Sequence, residues 1–152
     1  MDIDILAVGK QKAGPERDLA EKYIRQTRWK VSVYEYEDKK GGTADERKTR
    51  EGEALLSKTA PDAKIIVLDE RGKTMSSVDF AALLKKWQDE GVSKVAFLIG
   101  GADGHAQFVR QRADQLLAFG QMTWPHFLVR VMLAEQIYRA RTIIDGHPYH
   151  RS

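Results

Sequence analysis

The sequence predicts one α/β domain, built on a parallel sheet, over residues 1–152. Two short runs, residues 65–68 and 95–99, are apolar throughout, which is typical of strands buried on both faces of a parallel sheet. Between them, apolar residues recur at helical spacing: Phe80, Leu83, Leu84 and Trp87. A strand, a helix and a second strand form a βαβ unit, and the length is that of a single domain.

The first half of the chain supplies two further strands. Residues 2–9 alternate and then become apolar before a glycine, which predicts a strand that ends in a turn. Residues 15–28 predict a helix, with Pro15 acceptable in its first turn. Residues 31–36 predict a second strand. Residues 37–53 carry mixed charges and predict a loop that runs into a solvated helix, a place where a loop that grips RNA is a less favoured alternative.

The second half predicts mainly helices. Ser76, with Asp79 three residues later, resembles a capping box and predicts a helix through about residue 90. After the strand at residues 95–99 we expect a helix over residues 105–117 and a short segment over 121–124. A last helix is expected over residues 127–143.

Composition excludes several classes of protein. The chain has no cysteine, so it has no disulfide framework, thiolate zinc site, iron–sulfur cluster or cysteine nucleophile. No apolar run is long enough to span a bilayer and no secretory signal is visible, so we expect a cytoplasmic protein without a membrane partner. A net charge of +3 permits a polyanionic partner without requiring one.

Two glycine-containing segments resemble phosphate-binding motifs and depart from them. The Arg-Gly-Lys-Thr run at residues 71–74 lacks the first glycine of a Walker A motif, where Val67 stands, so we expect only a turn. Residues 100–104 read Gly-Gly-x-x-Gly, so they lack the residue that separates the first two glycines of the dinucleotide-binding fingerprint G-x-G-x-x-G. Leu68 and Gly100 nevertheless end two buried parallel strands, where α/β sheets bind ligands, and we favour a ligand site there over a simple tight turn.

The carboxyl-terminal tail contains several groups suited to catalysis. His147 and His150 lie three positions apart, but Pro148 forbids a regular helix and no carboxylate completes a ligand set, so no metal is expected. The segment either reaches over an anionic substrate or is a frayed terminus.

The last helix is apolar on almost every face. Arg130 falls among its apolar residues, which are Phe127, Leu133, Ala134 and Ile137. Such a helix requires burial on two sides, most simply by the sheet and by a second copy of the chain. A buried arginine must either form a salt bridge or face a ligand, and the sequence leaves both open.

Three motifs in the second half, taken in order, identify a family. They are Leu98-Ile99-Gly100-Gly101, then Pro125-His126 followed by Leu128-Val129-Arg130-Val131, and finally His147-Pro148-Tyr149-His150-Arg151. The chain resembles, from end to end, the bacterial 23S ribosomal RNA pseudouridine N3-methyltransferases, which are minimal members of the SPOUT class. That resemblance implies a parallel-sheet fold with a carboxyl-terminal trefoil knot and a homodimer.

The resemblance also implies a cofactor and site residues. The cofactor is S-adenosylmethionine, no metal is needed, and 23S ribosomal RNA, on assembled 70S ribosomes, is the expected substrate. The implied cofactor-binding residues are Leu68, Gly100, Gly101, Gly120, Gln121, Met122, Thr123, Trp124 and Pro125. The implied catalytic residues, placed in the pocket of the partner, are His147, Tyr149, His150 and Arg151. The RNA-binding residues are expected to be Arg130, Arg139 and Arg151.

Three alternatives stay open at this point. One is a SPOUT methyltransferase with another RNA target, and a second is an RNA-binding module without catalytic activity. A third, a Rossmann-type dehydrogenase, is disfavoured by the incomplete glycine fingerprint.

Overall fold

The computed structural model describes residues 1–151, and within them five helices and five strands alternate along the chain. In order these are β1 Asp2–Val8, α1 Pro15–Gln26, β2 Lys30–Tyr36, α2 Ala44–Lys58, β3 Lys64–Thr74, α3 Ser77–Asp89, β4 Lys94–Ile99, α4 Gln107–Gln111, β5 Gln115–Ala118 and α5 His126–Ile144. The Ser76 hydroxyl accepts a hydrogen bond from the Asp79 backbone N–H at 3.0 Å, so the predicted cap of α3 is confirmed.

The five strands form one parallel sheet in the order β2-β1-β4-β3-β5. Helices cover both faces. Apolar side chains of α3 and α5, including Leu84 and Leu133, pack against one face, whereas Leu55 of α2 and Val109 of α4 pack against the other. The predicted α/β class with a parallel sheet is therefore confirmed, and the carboxyl ends of all five strands lie at one edge.

Residues 71–74 are not the turn that the sequence predicts. They prolong β3, and after an irregularity in register Lys73 and Thr74 pair with Leu117 and Ala118 of β5. A Cβ atom built on Gly72 would lie 2.7 Å from the backbone nitrogen of Leu117. The run Arg-Gly-Lys-Thr extends because β5 offers its backbone a partner, and glycine permits the close approach.

The helix predicted over residues 105–117 is also wrong. Only Gln107–Gln111 is helical, and Gln115–Ala118 forms the edge strand β5. Asp114 decides the change, because its backbone N–H donates to the Ile65 carbonyl and its carboxylate accepts from the Ile65 N–H, both at 2.8 Å. These contacts bring the chain alongside β3, where strand pairing satisfies its backbone groups.

The last helix, α5, matches its predicted extent closely. It packs against both α1 and α3 as well as the sheet, so much of its second side is covered within its own chain. The exposed apolar residue Leu128 lies near its start. The expected homodimer and the expected knot stay predictions. Within residues 1–151 no helix has the length and apolar character needed to cross a bilayer.

Candidate cofactor and active site

A cavity of about 490 Å³ lies at the carboxyl ends of β3, β4 and β5. Its floor is the glycine turn of residues 100–104, and the loop that joins β5 to α5, residues 119–125, lies opposite that turn. Eight of the nine residues predicted to hold the cofactor line this cavity: Leu68, Gly100, Gly101, Gly120, Met122, Thr123, Trp124 and Pro125. Gln121 is in the same loop but does not line the cavity. The structure thus brings together residues from three distant parts of the chain.

The glycine turn closes the floor of the cavity. The Gly104 backbone N–H donates to the Gly101 carbonyl at 3.0 Å, and Gly104 has a φ of 79°, in the left-handed region that favours glycine. A Cβ atom on Gly100 would lie 3.1 Å from the Gly104 carbonyl carbon. The missing side chain leaves backbone groups accessible to a ligand.

The loop of residues 119–125 forms the opposite wall. The Trp124 indole N–H donates to the Phe119 carbonyl at 3.1 Å, which closes the loop on itself. Gly120 has a φ of 105°, so the chain can reverse there. Pro125 then leads into the first turn of α5. Met122 is 76% exposed at the rim, so it is available to a large ligand or a second chain.

Charged and titratable side chains that the sequence analysis missed also line the cavity. They are Lys48, Asp69, Glu70, Arg71, Asp103, His105, Arg110 and His126. Arg110 lies 3.8 Å from the Asp69 carboxylate and donates to the His105 carbonyl at 2.6 Å. Burial, with a smaller effect of Arg130, lowers the pKa of His126. Asp69 directly follows the buried part of β3. Its position at a strand end is the feature of the sequence that could have identified it as a cavity residue.

The carboxyl-terminal tail is ordered against the second half of α5. The Tyr149 hydroxyl donates to Glu135 Oε1 at 3.0 Å, and the Tyr149 ring packs edge-on against Tyr138 at 4.7 Å. Arg139 Nη1 lies 3.1 Å from His150 Nδ1, and the guanidinium stacks over the Tyr149 ring. The tail is therefore not a frayed terminus, because polar and aromatic contacts hold it to the helix.

These contacts bear on the protonation of Tyr149 and on the tautomer of His150. Burial, followed by the Glu135 carboxylate, raises the pKa of Tyr149 well above its usual value, so the phenol stays protonated. A guanidinium can only donate, so His150 Nδ1 accepts from Arg139, and a neutral His150 carries its proton on Nε2.

Within one copy of the chain, the tail does not reach the cavity. The cavity touches α5 at His126 and Val129, whereas the tail contacts begin at Glu135 and continue to Arg139. Val129 and Glu135, the nearest residues of the two groups, are separated by roughly 9 Å along the helix axis. Accordingly His147, Tyr149, His150 and Arg151 are absent from the cavity lining among the described residues.

The three arginines predicted to contact RNA differ in their surroundings. Arg130 is 4% exposed, and its guanidinium donates to the Glu35 carboxylate and to the carbonyls of Val8 and Gly9. Of the two roles left open for Arg130, the salt bridge is the one formed here, within the same chain. Arg139 is partly exposed beside Glu135 and Arg151 is exposed.

The pKa of Glu35 reflects this contact. Burial alone would raise the pKa of the carboxyl, but the Gln11 backbone N–H and the Arg130 guanidinium outweigh it, and the pKa is lowered. The Gln11 N–H donates to Glu35 Oε2 at 2.8 Å. Glu35 thus stays ionised and keeps the buried arginine paired.

The fold and the cavity define a parallel α/β protein with a cavity at the carboxyl edge of its sheet, the place where proteins of this class bind ligands. The chain belongs to the SPOUT methyltransferase family, because residues 1–150 match the family model described as predicted SPOUT methyltransferase. The family resemblance and the methyltransferase class predicted from the sequence are thereby confirmed.

Relatives that match over their full length carry a more specific name than the family does. The ribosomal RNA large subunit methyltransferase H of Paramagnetospirillum magneticum is 53% identical over 151 residues, which cover 99% of each chain. The protein of the same name from Rhodospirillum centenum is 50% identical over 152 residues, covering 100% of each. A solved structure of Lpg2936 from Legionella pneumophila, in complex with the bound cofactor SAM, aligns with a TM-score of 0.49 and 11% identity, covering 92% of this chain and 66% of that one.

Proposed function

We propose that this chain transfers a methyl group from S-adenosylmethionine to N3 of a pseudouridine in 23S ribosomal RNA. The observation that carries the proposal is the convergence of eight predicted cofactor residues on one cavity at the strand edge. Family membership supports the reaction class, and relatives such as that of Paramagnetospirillum magneticum support the RNA target.

The cavity suits S-adenosylmethionine in size and in chemistry. A volume of about 490 Å³ falls within the range of small-molecule pockets, roughly 300–1,000 Å³. Gly100 and Gly101 present backbone groups, and the loop of residues 120–125 would hold the adenine and methionine parts by backbone contacts. When bound, this cofactor supplies an already activated methyl group, so the protein contributes chiefly positioning and charge stabilisation.

The proposed active unit is a homodimer in which the tail of a second copy completes each cavity. The separation of tail and cavity within one chain supports this, because the residues proposed as catalytic lie on the tail. Three apolar side chains exposed near the start of α5 offer a surface for the second copy: Met122, Trp124 and Leu128.

Four tail residues would then act on the target base. His147 or His150 would remove the N3 proton, directly or through a water molecule, after its Nδ1 releases the donor that it binds within the chain, which is the Tyr149 N–H for His147 and Arg139 for His150. Tyr149, whose phenol stays protonated, would exchange its hydrogen bond to Glu135 for one to the base and, with Arg151, stabilise the negative charge that develops there. These roles require only side chains already present in the chain, and no metal.

RNA recognition would rest on basic side chains that are exposed or partly exposed. Arg139 and Arg151 lie at the tail, and Lys48 and Arg71 line the cavity. Arg130 is left out of this surface, since its guanidinium is buried and paired. Phosphate contacts of this kind make affinity fall steeply with added salt. The enzyme would act in the cytoplasm, on assembled 70S ribosomes.

The test is methyl transfer from labelled S-adenosylmethionine to 70S ribosomes, isolated 50S subunits, naked 23S RNA and total transfer RNA, each prepared from cells that lack the activity. We expect label on N3 of a pseudouridine in large-subunit RNA, with 70S ribosomes the best substrate. Label found only on transfer RNA would identify another target. Binding of RNA without cofactor binding would identify a non-catalytic module, and either result would contradict the proposal.

A further inference from the structure

The loop that joins β1 to α1, residues 9–14, lies against the wall of the cavity. A Cβ atom built on Gly9 would lie 3.8 Å from Nε2 of His126, which lines the cavity, and 3.7 Å from Cε1 of Phe127. The loop follows β1, and β1 pairs with β4, which leads into the glycine floor. A large substrate that places one group in the cavity is therefore within reach of this loop.

Contacts with the rest of the fold hold the start of this loop in place. Arg130 donates to the Gly9 carbonyl. The Gln11 backbone N–H donates to Glu35 Oε2 at 2.8 Å, and the amide nitrogen of the Gln11 side chain is buried. The Glu35 carboxylate in turn accepts from Arg130. One ion pair thus anchors both ends of residues 9–11, so this segment loses little further freedom when it binds a ligand.

The anchored segment presents two lysines to solvent. Lys10 and Lys12 lie on either side of Gln11, both are exposed, and neither forms an ion pair within residues 1–151. The carboxylate that contacts the loop, that of Glu35, is already bound by Arg130. Residues 9–15 contain these two lysines and no acid. Two unpaired cations on a fixed backbone beside the cavity suit an anionic partner that arrives from solvent.

We propose that Lys10 and Lys12 bind phosphate groups of the RNA whose target base enters the cavity. This inference rests on the proposed function, and it adds the loop between β1 and α1 to the surface that contacts RNA. Lysine ammonium groups bind phosphates without reading sequence, and such contacts fix the position of a nucleic acid on a protein. The loop would orient the RNA strand, whereas the cavity and the tail would act on the base.

Methyl transfer to 70S ribosomes by the full-length protein tests the inference with two double variants. Lys10→Gln with Lys12→Gln should raise the KM for ribosomes about tenfold and leave the Kd for S-adenosylmethionine within about twofold of the wild type. Lys30→Gln with Lys58→Gln removes the same charge from two exposed positions at the amino edge of the sheet, and should leave the KM unchanged. A strand of this length separates the two edges by roughly 20 Å, more than the Debye length of about 8 Å at physiological salt.

The dependence of the KM on salt provides a second readout. In a plot of log KM against log salt concentration, each lost phosphate contact should lower the slope by about 0.7–0.9, so Lys10→Gln with Lys12→Gln should lower it by about 1.5. Lys10→Arg with Lys12→Arg keeps both charges and should retain the KM and the slope of the wild type. Melting temperatures of all three double variants show that the fold is intact.

An unchanged KM and slope in Lys10→Gln with Lys12→Gln would overturn the inference and leave the proposed function standing. An equal rise of the KM in Lys30→Gln with Lys58→Gln would show a general effect of net charge and would also reject the site. A raised KM in the arginine variant, with an unchanged slope, would show an effect of loop conformation and not of charge. A wild-type protein that binds S-adenosylmethionine but methylates no large-subunit RNA would overturn the proposed function and this inference with it.

Discussion

Arg130 Nη1 donates to the Glu35 carboxylate across 95 positions of sequence and thereby ties α5 to the sheet-edge strand β2. The same guanidinium donates to the carbonyls of Val8 and Gly9, where β1 ends. The buried guanidinium of Arg130 therefore joins α5, which borders the cavity, to β1 and β2, which lie on the opposite side of β4 from β3 and β5. This contact holds α5 in place relative to the strand edge.

Removing this cation should destabilise the fold. Arg130→Met leaves Glu35 and two carbonyls without their partner, so we expect the free energy of unfolding to fall by about 2 kcal/mol. The cost is below that of a fully buried pair because the Glu35 side chain is 31% exposed. Denaturant unfolding measures it, with Lys85→Met, which breaks the exposed Lys85–Asp89 pair, as the control. Equal losses in both variants would contradict the structure.

The extension of β3 can be tested at Gly72. A Cβ atom there meets the backbone of Leu117 at 2.7 Å, so Gly72→Ala should cost about 1–3 kcal/mol and speed hydrogen exchange at the Leu117 amide. Gly41→Ala is the matched control, because nothing lies within 4 Å of its added Cβ. If residues 71–74 were a free turn, the two variants would behave alike.

A side chain added to the glycine floor of the cavity should lower the affinity for the cofactor. In Gly100→Ala the added Cβ lies 3.1 Å from the Gly104 carbonyl carbon and occupies space beside the site. We expect the Kd for S-adenosylmethionine to rise about tenfold or more, at a cost of about 1.4 kcal/mol per tenfold. Calorimetry provides the measurement, and Gly41→Ala again serves as the control. Undiminished affinity would place the cofactor elsewhere.

The surroundings of Glu51 should make the stability of the folded chain depend on pH. Burial, followed by repulsion from Asp103 and Asp38, raises the pKa of its carboxyl above 4.5, and its Oε1 has no partner. The folded state then holds this proton more tightly than the unfolded chain, so ionisation costs stability as the pH rises through the raised pKa.

Glu51→Gln should accordingly raise the melting temperature at pH 7, and the gain should disappear as the pH falls towards 4.5. Thermal melts across this range provide the check, with Glu53→Gln, an exposed position on the same helix, as the control. A gain that persisted at low pH would show that the effect does not come from ionisation.

Sharing of the active site between two copies predicts complementation. One variant, Gly100→Leu, blocks the cavity, and the other ends after Gly146 and lacks the tail. Each alone should be inactive, whereas a refolded equimolar mixture should recover about a quarter of wild-type activity, because half of the dimers are mixed and each has one intact site. A mixture without activity would mean that each tail serves its own chain.

Local pattern was sufficient to predict much of the architecture. Continuous apolar runs marked the buried strands β3 and β4, helical spacing marked α3, and the cap at Ser76 fixed where that helix begins. The same logic placed Leu68 and Gly100 at strand ends, and both line the cavity. These features depend on neighbours within a few residues, so the sequence alone contains the information.

Other features depend on residues far apart in the chain. β5 exists because Asp114 bonds to Ile65, and residues 71–74 extend because β5 lies beside them, although neither segment has a strong strand pattern of its own. The knot stays a prediction from resemblance, since no local pattern encodes the threading of a chain.

The sequence by itself thus determined the α/β class, the central strands, the last helix and the family with its cofactor. Tertiary structure alone decided that Arg130 pairs with Glu35, and that the tail lies on α5 away from the cavity. The physical reason is that a charged or polar side chain takes whichever partner the fold brings within hydrogen-bond distance. Which partner that is depends on the packing of the whole domain.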